Sequence, residues 1–163
     1  MKIILNIVCL LLCGVTVLSC TEVNDRNRIP QREVYIDLST MGYWSQYGAY
    51  TPGSYRVFSV IDRIPTNYPF TAKTRTGFGG VLIYNTPYGN VCAFDLSCPV
   101  ERKANVCVVV DENTNEAVCK ECGSHYELME GTGSPISGKA VSDNVWMTKY
   151  SAVKSGSGYN IRN

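Results

Sequence analysis

One histidine, His125, stands in the whole 163-residue chain, and that scarcity removes much enzyme chemistry at once. A Ser-His-Asp set has little to draw on, and no phosphate-cradling glycine loop or paired-carboxylate word offers a substitute. Charge of one sign is equally scarce, with 15 Lys and Arg against 14 Asp and Glu. No basic patch points to nucleic acid and no acidic block to a charged tail. A long apolar run occurs only at the start, from Ile3 to Val17. Beyond it a helical stripe is missing too, and the apolar residues recur at the two-residue period of strands or in short runs. What the chain does have is cysteine, eight residues in all.

The opening segment reads as an export signal. Met1-Lys2 gives a basic start, and the apolar run is too short and too near the terminus to favour a permanent spanning helix. It ends in Val17-Leu18-Ser19-Cys20, which resembles the lipobox of bacterial lipoproteins, where the cysteine is lipidated and becomes the mature N-terminus. The alternative is an ordinary secretory peptide with an incidental cysteine. On the lipobox reading, residues 1–20 are the signal, Cys20 carries the lipid, and the protein is held to a membrane of the bacterial cell envelope, inner or outer left open. Thr21 to Arg32, polar and without a period, is a tether. Residues 33–163 form one domain, long enough for a single core. Loss of the signal removes Lys2 and leaves fourteen basic residues against fourteen acidic ones.

Short strands dominate that domain. Val34, Ile36 and Leu38 alternate with Tyr35 and Asp37, the pattern of a half-buried strand. Ser39 to Pro52 is rich in aromatics (Tyr43, Trp44, Tyr47, Tyr50) and lacks a helical stripe. It reads either as packing against the sheet or as a carbohydrate-stacking face. Tyr55 to Ile61 is a second strand, and Ile64 to Thr76, with Pro65 and Pro69, a loop. Val81 to Tyr84, the turn Pro87-Tyr88-Gly89-Asn90 and Val91 to Phe94 make a hairpin. Val106 to Val110 is another strand, followed by the turn Glu112 to Asn115. The last strands lie near Met147 to Val153 and Tyr159 to Ile161. Many short strands, frequent turns and hardly any helix predict an all-β antiparallel sandwich or small barrel.

Five cysteines remain once the signal is gone and Cys20 is lipidated: Cys92, Cys98, Cys107, Cys119 and Cys122. Four metal ligands plus one buried thiol account for them, and two disulfides plus one free cysteine do so equally well. Cys119 and Cys122 form Cys-x-x-Cys, a spacing that brings two thiolates from one turn to one metal ion. Cys92 alternates with Ala93 in a strand and reads as a small buried hydrophobe. His125 reads as a hydrogen-bonding surface residue.

The ordered words of the C-terminal half resemble the Rieske iron–sulfur domain family. They run Ala93-Phe94, a polar turn, Cys98-Pro99-Val100, a short hairpin, and Cys119-Lys120-Glu121-Cys122-Gly123-Ser124-His125-Tyr126. Gly131, Ser137-Gly138-Lys139-Ala140 and Met147 to Tyr150 follow. A Rieske centre binds one iron through two Cys and the other through two His, whereas here Val100 and Cys122 stand at the histidine positions. The resemblance implies two cysteine-bearing loops packed at one tip, with Cys98 across from Cys119 and Cys122. Cys107 is a candidate fourth thiolate. The occupants that follow are zinc, an atypical iron–sulfur cluster, or no metal at all with the loops stapled by disulfides such as Cys98–Cys119 or Cys107–Cys122; a redox-active Cys119/Cys122 dithiol is the remaining alternative. In the family the serine of the second loop tends to hydrogen-bond the cluster, which assigns that role to Ser124 if a cluster is present. Three functions stay open: a structural or binding module, an electron-transfer protein with an atypical [2Fe-2S] centre, and a surface interaction or glycan-binding domain. The redox or surface partner is unnamed by the sequence.

Overall fold

The computed structural model describes residues 29–163, so the signal segment, Cys20 and the tether up to Arg28 lie outside the described residues. Among the described residues no helix is long and apolar enough to cross a membrane. The domain is all-β with two short helices. Its strands are β1 (Val34–Leu38), β2 (Tyr55–Phe58), β3 (Arg75–Thr76), β4 (Val81–Asn85), β5 (Val91–Asp95) and β6 (Val109–Asp111). There follow β7 (Glu116–Val118), β8 (His125–Glu127), β9 (Pro135–Ser137), β10 (Lys149–Ser155) and β11 (Gly158–Arg162). The helices are α1 (Met41–Tyr47) and α2 (Lys139–Ser142).

Seven strands form one antiparallel sheet in the order β2-β4-β5-β10-β11-β1-β3, nearly closed into a barrel-like sandwich, and four form a second in the order β6-β7-β8-β9. The hairpin β4–β5 lies at the centre of the fold because it is apolar on both faces. Alternate residues divide between two cores. Val81, Ile83 and Ala93 join Ile36, Leu38, Phe58 and Tyr150 on one side. Leu82, Tyr84, Cys92 and Phe94 join Val108, Ala117, Tyr126 and Leu128 on the other. Each large side chain buried there contributes about 1.5–3 kcal/mol relative to exposure. The second core lies between the hairpin and the four-stranded sheet that carries one of the cysteine loops.

The expected hairpin, the alternating first strand and the terminal hairpin of β10 and β11 are all present. Four expectations need correction, the first being that the segment Ile64 to Thr76, expected as a loop, ends in the two-residue strand β3, which pairs with β1. The aromatic segment contains α1: the Thr40 hydroxyl accepts the N–H of Tyr43 at 3.2 Å, capping the helix, and Trp44 and Tyr47 turn into the core. Trp44 packs on Tyr159 with ring centroids 4.8 Å apart, and the Tyr47 hydroxyl donates to Asn67 O at 2.8 Å. Those two aromatics serve packing rather than an exposed stacking face. The strand drawn to Ile61 stops at Phe58, because Ser59 and Ile64 exchange backbone hydrogen bonds across a tight loop that the Ser59–Asp62 contact closes at 2.7 Å. The strand drawn from Val106 begins in regular form only at Val109, and before it Cys107 makes an isolated bridge to Ser97.

Asp95, at the end of β5, is fully buried and collects five hydrogen bonds. Its Oδ1 accepts from the N–H groups of Gly79 (3.1 Å) and Ser97 (2.8 Å) and from the Ser97 hydroxyl (2.7 Å). Its Oδ2 accepts from Phe78 N–H (2.8 Å) and from the Tyr150 hydroxyl (2.6 Å). Burial, and then the adjoining carboxylate, push the Tyr150 phenol up from its ordinary value. One side chain thereby ties the approach to β4, the strand β10 and the start of the first cysteine loop. Asp95→Ala strands these donors, and urea unfolding should show a loss of about 3–5 kcal/mol. Tyr150→Phe removes a single donor and should cost about 1–2 kcal/mol. A loss below about 1 kcal/mol for Asp95→Ala would show that the buried carboxylate is not what fixes this corner.

Candidate metal centre

The first cysteine loop leaves β5 through Leu96 and Ser97 and is folded back on itself by backbone bonds. Cys98 N–H donates to Val106 O (2.8 Å), Val108 N–H donates to Leu96 O (2.8 Å), and Arg102 N–H donates to Cys98 O (2.9 Å). With Asp95 gripping Ser97, the Cys98 backbone is held from both sides. Its side chain is fully buried.

The second loop joins β7 to β8. Gly123 N–H donates to Cys119 O and Cys119 N–H donates to Ser124 O, both at 2.9 Å, so Cys-x-x-Cys closes into one tight turn. Gly123 completes it at φ +64°, a left-handed conformation that costs other residues energy. The loop is backed by α2, and the approach is close. A Cβ on Gly138 would lie 2.5 Å from Gly123 O and 2.8 Å from Ser124 Cα. The Ser124 hydroxyl oxygen accepts the N–H of Ala140 at 3.0 Å and the S–H of the neutral Cys122 thiol at 3.2 Å.

The two loops bring Cys98, Cys119 and Cys122 together, with their sulfur atoms all within 4.8 Å of one another. Cys98 Sγ lies 3.6 Å from Cys122 Sγ and 3.7 Å from the hydroxyl of the buried Tyr126. Cys98 and Cys119 are fully buried and Cys122 is partly exposed. Leu96, Val100 and Val106 pack around them, so Val100 supplies apolar wall where the resemblance has a histidine ligand.

The local environment treats the thiols differently. Burial pushes Cys98 up to about 12. Burial also pushes Cys122 upward, but hydrogen bonds from the Ser124 hydroxyl and backbone, and from Cys119 and Cys98, outweigh it and hold the thiol below its ordinary value. The Ala140 N–H occupies a lone pair of the Ser124 oxygen and leaves the hydroxyl hydrogen free to donate to a thiolate. Tyr126 is raised by burial first and by Cys98 second.

Tetrahedral thiolate zinc, with Zn–S near 2.3 Å, sets sulfurs about 3.8 Å apart. The 3.6 Å between Cys98 and Cys122 matches that spacing. A two-iron cluster instead divides four ligands into pairs on separate irons, whereas these three sulfurs form one group, each within 4.8 Å of the others. The donor set fits a single soft or borderline ion.

Cys107 is not in the group. Its Sγ points to Gly79 O and Ala104 O, 3.5 Å from each. The neighbouring Val108 is buried in the second core, and strand alternation turns Cys107 to the opposite side. Burial, then Asp95 and Asp62, raise its thiol. Cys92 is a buried thiol, as expected; its Sγ donates to Tyr84 O at 3.3 Å, and burial pushes it up to about 11. His125 faces away as a hydrogen-bonding residue, with Nδ1 2.7 Å from Glu116 Oε2. Neither Tyr126 nor Asp95 carries a sequence motif that marks it as part of this site. Tyr126 alternates out of step with His125 along β8, and that alternation marks it as inward-facing.

Comparison with protein-family models, with curated proteins and with solved structures gives no match to the chain.

The thiols of the metal-free, reduced protein should alkylate unequally. At pH 7.5 iodoacetamide is expected to label Cys122 first, ahead of Cys107, with Cys92, Cys98 and Cys119 protected by burial. Ser124→Ala should slow Cys122 labelling several-fold by removing its hydroxyl hydrogen bond, read by peptide mass mapping over time. Equal rates in the two proteins would remove Ser124 from any role in activating Cys122.

Proposed function

We propose that this is a lipid-anchored envelope protein whose β domain is a degenerate Rieske-like module. In place of a two-iron cluster it carries a mononuclear thiolate site, and a metal ion held there joins the two tip loops. The convergence of Cys98, Cys119 and Cys122 supports this most directly. Two of these ligands come from a turn already shaped for Cys-x-x-Cys coordination, and the third crosses from the other loop. Zinc is the occupant the set suits best, since it accepts thiolates without demanding a second metal or a redox partner. Three protein ligands leave a fourth position for water or another exogenous group. The anchor rests on Val17-Leu18-Ser19-Cys20.

The role is structural. An ion bound only by the folded chain adds stability by mass action, about 2.7 kcal/mol at a hundredfold excess over its dissociation constant. Each bound thiol must give up its proton. Cys98, lifted to about 12 by burial, is protonated at neutral pH until a metal displaces that proton. Affinity therefore rises with pH between 6 and 8, and binding acidifies an unbuffered solution.

Metal analysis of anaerobically purified mature protein, with absorption and EPR spectra, tests the reading. One zinc per chain, no visible bands, and a lower unfolding temperature after chelation are expected, with Cys119→Ser abolishing binding. Iron with acid-labile sulfide and a reducible EPR signal would overturn the structural account in favour of electron transfer. Failure to bind zinc or iron in the fully reduced state would overturn the metal site altogether.

A further inference from the structure

Cys98 and Cys122 stand in a relation that coordination alone does not require. Their sulfurs are 3.6 Å apart across the two loops, about 1.5 Å more than a disulfide bond. They differ sharply in access, because Cys98 is fully buried and Cys122 is partly exposed. The turn between Cys119 and Ser124 fixes the Cys122 backbone on its own side, while the Val106–Cys98 backbone bond fixes the other. An oxidant arriving from solvent meets Cys122, and a neighbouring sulfur stands behind it. Cys107 cannot take that place, since its Sγ is engaged with Gly79 O and Ala104 O. Cys92 is likewise turned to Tyr84 O.

We propose that Cys98 and Cys122 form a reversible disulfide, with a small-molecule disulfide as the oxidant. This pairing differs from those the sequence alone suggests. Cys122 thiolate attacks the oxidant, forming a mixed disulfide and releasing one thiolate. Cys98 then attacks the Cys122 sulfur, expelling the second thiolate, which carries away the Cys98 proton. Two protein thiols are oxidised, one disulfide is reduced to two thiols, and the loops become covalently joined. Its consequence for metal rests on the reading of the previous subsection: the same two sulfurs cannot at once bridge each other and serve as thiolate ligands. The disulfide leaves Cys119 as a single thiol, so oxidation ejects the ion and bound metal protects the pair.

The test uses the mature chain, reduced and split into metal-free and zinc-loaded portions, each treated with oxidised glutathione. Peptide mapping of the metal-free portion should find Cys98 linked to Cys122. Cys119→Ser should retain that link, and Cys122→Ser should lose it, leaving Cys98 reduced. In the zinc-loaded portion a chromogenic chelator should report one ion released per disulfide formed. At a zinc concentration ten times its dissociation constant, oxidation should be slowed about tenfold. A Cys98–Cys119 or Cys119–Cys122 link as the main product, or no protein disulfide at all, would overturn the proposal even if zinc binds well. A Cys98–Cys122 link in a chain that never binds zinc would uphold the redox pair and remove only the metal reading. Zinc retained after complete disulfide formation would overturn the exclusion between the two states.

Discussion

The Asp95 carboxylate is the constraint on which the cysteine tip depends. It sits where β5 stops being sheet, and it draws Phe78, Gly79, Ser97 and Tyr150 to one point. Burying such a group without partners would be costly. With five donors the same burial becomes a means of fixing geometry, since any slip of loop one breaks several bonds together. Cys98 follows Ser97 directly, so the position of its sulfur is inherited from Asp95, three residues earlier in the chain. The second loop reaches equal definition by another route, through its closed turn and the Gly138 contact with Gly123.

The thiol trio is consequently assembled from two differently supported pieces. Cys98 hangs from the seven-stranded sheet, and Cys119 and Cys122 belong to the four-stranded one. Tyr126 bridges the two, extending from β8 to the Cys98 sulfur at 3.7 Å. Ser124 links the trio to α2 through Ala140. Hydroxyls of this kind, set behind thiolates, orient them and moderate their charge.

Much of the fold was legible because the two-residue alternation of Val34, Ile36 and Leu38, and the turn between Tyr84 and Val91, report burial directly. The helix α1 was not. Gly42, Ser45 and three aromatics have modest helix propensity, and the helix rests on the Thr40 cap and on the burial of Trp44 and Tyr47. At the tip, the grouping of Cys98 with Cys119 and Cys122 followed from the order of words along the chain rather than from local pattern. Cys107 illustrates the limit of such reasoning. Its neighbour Val108 fills the second core, and the alternation that this imposes could be known only once the face of that strand was known. Asp95 was hidden for a related reason, since an aspartate closing a strand reads as an ordinary turn residue.

The central hairpin has a bearing on how the molecule comes apart. β4 and β5 present no solvent face, and their odd and even residues belong to different cores. Removing either cover would strip apolar side chains such as Leu82 and Phe94, or Val81 and Ile83, of their partners while leaving the other half in place. Such a half-covered hairpin is both unfavourable and prone to associate. The two cores therefore share one fate, and the domain should melt in a single cooperative transition despite having two separate hydrogen-bonded sheets.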